Sequence, residues 1–97
     1  MATVFDVTNY ILEKIGKMST WKLQKLCYYS QAWHLAWTGK PIFGEEFEAW
    51  ANGPVCVELF HAHQGKFVVD TDDFRRGSQD ALSEDEKDSI NIVLRDY

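Results

Sequence analysis

Five residues of this chain could hold a metal ion or act as nucleophiles and bases: Cys27, His34, Cys56, His61 and His63. His61-Ala62-His63 is the densest of these sets. On a helix, however, those two imidazoles point about 200° apart, whereas chelation from one helix face needs an i, i+4 pair. Cys56 and His63 are seven positions apart and could share a face, but two ligands do not complete a zinc site. We therefore expect no metal and no cofactor. Catalysis has no better basis: the chain holds no G-x-S-x-G, no H-E-x-x-H, and no Cys, His and carboxylate set at suggestive positions. The paired acids Glu45-Glu46 and Asp72-Asp73 fall in loop-like stretches, where solvated charge accounts for them. The expected activity is binding, not enzymatic.

The elements that would position these residues must come from one small domain. A chain of 97 residues buries roughly two-thirds of the surface it exposes when unfolded, enough for one core. Aromatic residues make up 14% of it, with four Trp, which gives that core large pieces and argues against disorder. Cys27 and Cys56 lack framework spacing and read as small buried hydrophobes that stay reduced. No apolar run approaches the 18 or so residues of a membrane span, and MATVFDVTNY lacks a signal-peptide pattern, so a cytoplasmic location is expected. The net charge of −5 is uneven: residues 1–69 hold six acids and six bases, whereas residues 70–97 hold nine acids and four bases. Such a balance does not suit a binder of phosphate backbones, which needs a basic face. It is either a solvated acidic surface or a match for a basic partner.

The organising element is STWKLQKLCYYSQAWHLAWTG, residues 19–39. Ser19 can cap a first turn, Met18 and Leu23 sit at staple positions, and Gly39 followed by Pro41 marks the end. Apolar residues cover most of the circumference, so the expectation is a spine helix enclosed on all sides. Before it, Thr3 and Asp6 form a capping pair, and Val4, Val7, Ile11, Ile15 and Met18 mark one face of a helix that stops at Gly16-Lys17. A helix-turn-helix DNA reader would expose bases along the second helix, and here it carries only Lys22, Lys25 and, past its end, Lys40.

After the spine, residues 39–53 read as a loop with one extended piece, Phe47–Ala51. Gly53-Pro54 fits a helix start, with that helix running through Val55, Leu59, Phe60 and His63 to Gly65. KFVVD, residues 66–70, is a candidate strand to pair with 47–51. Residues 70–82 read as an exposed loop. Ser83 and Glu86 then open a last amphipathic helix, with Ile90, Val93, Leu94 and Tyr97 on one face. The fold class is α+β, mainly α: a central aromatic-rich helix packed by other helices, with a small two-stranded β element.

Lys22-Leu23-Gln24-Lys25-Leu26-Cys27-Tyr28-Tyr29-Ser30-Gln31-Ala32-Trp33-His34-Leu35-Ala36, then Gly39-Lys40-Pro41-Ile42-Phe43, then Glu48-Ala49-Trp50-Ala51-Asn52-Gly53-Pro54-Val55, resemble the Panacea, or SocA-like antitoxin, domain of phage-associated GepA-like proteins. The likeness extends over roughly residues 5–95 and is specific because both motifs occur in order. It implies a bacterial or prophage antitoxin that binds and neutralises a toxin encoded beside it. It also implies a rival: a proteolytic adaptor that delivers a toxin or other client to a cytosolic protease. Members of the family usually continue past the last helix, so the likeness implies a domain that is short at its C-terminus. Its apolar face of Ile90, Val93, Leu94 and Tyr97 would then be open to self-association.

Candidate partner-binding residues follow from the same motifs. Lys22 and Lys25 could meet acidic groups, although solvated lysines are the plainer reading. Tyr29, Trp33 and Trp37 form an i, i+4, i+8 strip whose expected role is core packing, with any exposed part a candidate hot spot. Glu48, Trp50, Gly53 and Pro54 are expected to fix a strand against the spine and to open the next helix, whose first-turn amides could accept an anion.

Overall fold

A computed structural model describes residues 1–97. Helix α1 spans Val4–Ile15, and the short strand β1, Met18–Ser19, leads directly into α2, Thr20–Thr38. Strands β2, Phe47–Trp50, and β3, Gly53–Cys56, precede α3, Val57–His63. Strand β4, Val68–Val69, and two 3₁₀ turns, Thr71–Phe74 and Gln79–Ala81, lead to α4, Glu84–Asp96. The mainly helical α+β class expected from the sequence is the one observed, but it has two small sheets, β1 with β4 and β2 with β3, both antiparallel.

Local signals set the helices. Asp6 Oδ2 accepts from the Thr3 amide at 2.7 Å, and Ser19 Oγ accepts from the Lys22 amide at 3.2 Å. Ser83 and Glu86 exchange bonds in a capping box at the start of α4. Gly39, with φ of 77°, closes α2 in the left-handed conformation, and its amide donates to the Leu35 carbonyl. At 1.5 Å per residue α2 is about 28 Å long. The molecule's longest dimension is 34 Å, so the spine runs through most of it.

The core is one cluster of 20 buried residues in which α1, α2 and α4 meet, with Leu59 added from α3 and Phe43 and Phe74 brought in from the connections. Partly buried polar side chains hold the connecting segments. Gln31 accepts from the Ile42 amide and donates to the Phe43 carbonyl, both at 2.7 Å, which fastens the loop after α2 to its side. Glu45 accepts from the Val4 amide at 3.1 Å, so one of the paired acids is structural and not merely solvated. Asp73 is another: it receives the Asp70 amide and pairs with Lys66.

Several expectations are corrected. Gly53-Pro54 opens no helix. Gly53, at φ of +123°, closes a hairpin through Ala51-Asn52, and Pro54 stands opposite Ala49 in β3. Val55-Cys56-Val57 favours extended backbone, and a two-stranded sheet consists only of edges, where a missing amide is tolerated. With β3 as the partner of β2, the KFVVD segment goes elsewhere: Val68–Val69 pairs with Met18–Ser19, and the Thr20 amide donates to the Phe67 carbonyl at 2.9 Å. Met18 thus leaves the α1 face for a strand, while Ile15 is exposed.

Residues 70–82 are not an open loop either. Phe74 is buried against Phe5 at 6.2 Å, and the Ser78 amide donates to Asp6 Oδ1 at 2.7 Å. The face of α4 expected to lack cover is covered by the chain itself, with Ile90 and Val93 buried. Leu94 packs beside them, and Tyr97 stacks on Tyr29 at 4.6 Å. Tyr97 itself stays 65% exposed.

The largest correction concerns the spine. Its first half buries Leu23, Gln24, Leu26 and Cys27 but leaves Trp21, Lys22 and Lys25 exposed, and beyond Ser30 only His34 is buried, while Trp33, Leu35, Ala36 and Trp37 are exposed. The stripe that faces inward is Leu23, Cys27, Ser30 and His34, and the small and polar members of that stripe let α4 approach closely.

Candidate partner-binding surface

Trp21, Lys25, Tyr29, Trp33 and Trp37 follow one another at i+4 steps, which on α2 makes one slowly winding ridge. Its far end is bare: Trp33 is 42% and Trp37 76% exposed, with their rings 10° from parallel and centroids 6.4 Å apart. Core packing, the expected role of the strip, holds only for the partly buried Tyr29. Trp21 was missed as a candidate, although one i+4 step back from Lys25 leads to it.

The candidate residues do not converge on one place. Trp33 and Trp37 form one wall of a groove of about 440 Å³ whose other wall is α4, with Asp85, Asp88, Ile92 and Arg95. Lys25 and Tyr29 meet Gly53 and Pro54 across a hollow of about 240 Å³ between α2 and the hairpin. Trp50 lies in a third hollow of about 130 Å³ with Trp21, Phe60 and Phe67. Trp50 packs edge-on against Phe60 at 4.9 Å, and its Nε1 donates to Glu48 Oε1 at 2.9 Å. It therefore does not anchor its strand to the spine, as expected. Glu48 shares an acidic recess with Glu45, Glu46 and Glu58, and Lys22 is exposed on the first turn of α2. No helix amides are presented at Pro54, so the expected anion site is not formed.

What ties the hairpin to the spine is Gln24. Its Oε1 accepts from the Cys56 amide at 2.8 Å, and its Nε2 donates to the Cys56 carbonyl at 3.2 Å. The amide's orientation is fixed by that pair of bonds, so Nε2, 3.1 Å from His63 Nε2, donates its second hydrogen bond to an unprotonated ring nitrogen. Burial holds the His63 pKa below the ordinary imidazole value. His34 is likewise committed, its Nδ1 lying 2.8 Å from Ser89 Oγ of α4. One buried hydroxyl, Ser30 Oγ, lacks a partner.

Of the residues that could have done chemistry, His34, His63, Cys27 and Cys56 are therefore built into the fold, while His61 is exposed. Cys27 and Cys56 are free and buried, and burial pushes both thiols up, away from the thiolate that a nucleophile needs. No three His, Cys, Asp or Glu side chains are grouped so as to hold a metal ion. No helix is long and apolar enough to cross a membrane.

Compared with known proteins, the chain matches the family model described as "Antitoxin SocA-like, Panacea domain" over residues 23–97. The match begins inside α2, so α1 lies outside it, although the likeness in motifs was expected from about residue 5. No curated protein and no solved structure gives a match.

Proposed function

The chain belongs to the SocA-like antitoxin, Panacea-domain family, and from that membership we propose that it neutralises a cognate protein toxin by forming a direct complex with it. The setting would be a bacterial or prophage toxin-antitoxin pair, in the cytoplasm, with no catalysis by this chain. The observation that favours a binding role is the placement of Trp33 and Trp37. Two large apolar rings are left in solvent on a domain that buries Phe43, Phe74 and most of its aliphatic residues. Exposed Trp is what protein interfaces use as anchors, because it covers much area at little rotamer cost. A stable complex on this side would bury at least about 1,000 Å² in total.

Co-expression with the product of the adjoining reading frame tests the proposal. The expected result is a complex that survives gel filtration and restores growth. Separate elution of the two proteins would reject it. Neutralisation that persists in cells lacking the cytosolic protease would set complex formation apart from delivery for degradation.

A further inference from the structure

Resting on the antitoxin reading, we propose that the toxin docks in the groove between α2 and α4 through a basic segment, with arginine or lysine beside an apolar anchor. The two walls of the groove differ in chemistry. One is the near-parallel indole pair of Trp33 and Trp37, and the other carries Asp85 and Asp88 on exposed turns of α4. Neither aspartate has an ion-pair or hydrogen-bond partner within the chain. The ion pairs of α4 are Lys87 with Glu84 and Arg95 with Asp96, the latter at 3.3 Å, so the one base lining the groove is already engaged. Lys40 lies in the adjoining recess on the far side of Asp85.

Each wall alone is unselective. Bare indoles would accept any aliphatic or aromatic side chain, and bare carboxylates would simply be solvated. Together they favour a cation with an apolar stem: a guanidinium or ammonium is attracted to an indole face, and its charge can be met by a carboxylate on the opposite wall. The charge of α4 agrees, since Glu84–Asp96 carries five acids against two bases, an excess that would speed the approach of a basic partner. The other aromatic hollows lack this combination: no carboxylate lines the one beside Trp21 and Trp50, and none lines the one beside Tyr29.

The test titrates the full chain, by calorimetry, with two soluble helical peptides that share one pattern of Leu and carry either Arg or Glu at the polar positions. The Arg peptide should bind at least about tenfold tighter. That preference should vanish in the Asp85→Asn/Asp88→Asn variant, and Trp33→Ala/Trp37→Ala should weaken the Arg peptide. If the double Trp variant does not fold, Trp37→Ala alone, at a site already 76% exposed, carries that arm. Equal affinity for the two peptides, or a preference that survives removal of both aspartates, overturns the proposal. The same variants co-expressed with the adjoining gene product separate the two readings. Complexes as strong as wild type's refute this groove and leave the antitoxin reading standing, whereas no complex with wild type refutes both.

Discussion

Gln24 grips the backbone of Cys56 at both ends of its side-chain amide, 2.8 Å from the nitrogen and 3.2 Å from the carbonyl oxygen, across 32 residues of sequence. The amide does for β3 what a neighbouring strand would do. Gln31, seven positions on and so on the same side of α2, does the same for Ile42 and Phe43. These two glutamines convert an α-helix into a support for extended chain, which explains how such short strands persist beside it.

Replacing Gln24 by Leu should therefore cost more than its change in size suggests. The Cys56 amide would be left buried and unpaired, at about 1 to 3 kcal/mol before relaxation, and the Cys56 carbonyl, which as the N-cap of α3 also accepts from that helix's first turn, would lose its second donor. We expect a loss of about 2 to 4 kcal/mol in urea denaturation, with Gln24→Glu no better because a carboxylate cannot donate to the Cys56 oxygen. A loss below about 0.5 kcal/mol, the range of ordinary surface changes, would mean that the clamp contributes little.

His63 should make stability depend on pH. Its ring accepts a hydrogen bond from Gln24 and is held in the neutral form by burial, so its folded pKa lies below the ordinary imidazole value of 6.5. Below that value the unfolded chain takes up a proton that the folded chain refuses, and stability falls as pH drops. The slope for one proton is at most about 1.4 kcal/mol per pH unit. Asp73, whose carboxyl is held below the ordinary carboxylate range by the hydrogen bond from Lys66, contributes only at lower pH. Denaturation between pH 7 and pH 5 should thus isolate His63, and the slope should flatten in His63→Gln. An unchanged slope in that variant would assign the effect elsewhere.

How much of this was legible in the sequence depended on whether the signal was local. The caps at Ser19 and Ser83, the stop at Gly39 and the extent of α2 were readable because each is decided within a turn of chain. The pairing of β4 with β1, and the choice of strand over helix at Pro54, were not. Both depend on residues far away in sequence, Met18 in one case and Gln24 in the other. The exposed end of the ridge was misread for a related reason. Helical periodicity places Tyr29, Trp33 and Trp37 on one strip, but only the length and position of α1 and α4 decide how far cover extends along it. In the candidate surface, the residue types were found, while their division among three hollows belongs to tertiary structure.

Gly77 should not tolerate a side chain, although it falls in a stretch that looks like a permissive loop. A Cβ there would lie 1.9 Å from the Phe5 carbonyl oxygen and 2.4 Å from its carbon. Both are backbone atoms of α1, so neither can swing aside, and the neighbouring Ser78 amide is already bonded to Asp6. Gly77→Ala should cost at least the 1 to 3 kcal/mol or so typical of overpacking, read as a drop in melting temperature. Substitution of the nearby exposed Arg75 provides the contrasting control, expected within about 0.5 kcal/mol of wild type.

The spine makes opposite demands on Trp37 and Leu26. Trp37 is 76% exposed, and most of its ring surface faces water, so Trp37→Ala should change stability by no more than about 0.5 kcal/mol. Leu26→Ala, at a position 2% exposed, should cost about 2 to 5 kcal/mol because it leaves a cavity in the core. Trp33, 42% exposed, should fall between them and below the 3 to 5 kcal/mol or so of a buried Trp. Melting curves of the three variants decide the order. If Trp37→Ala destabilised as much as Leu26→Ala, that indole would have to be covered in solution, and the bare end of α2 could not serve as a surface for another protein.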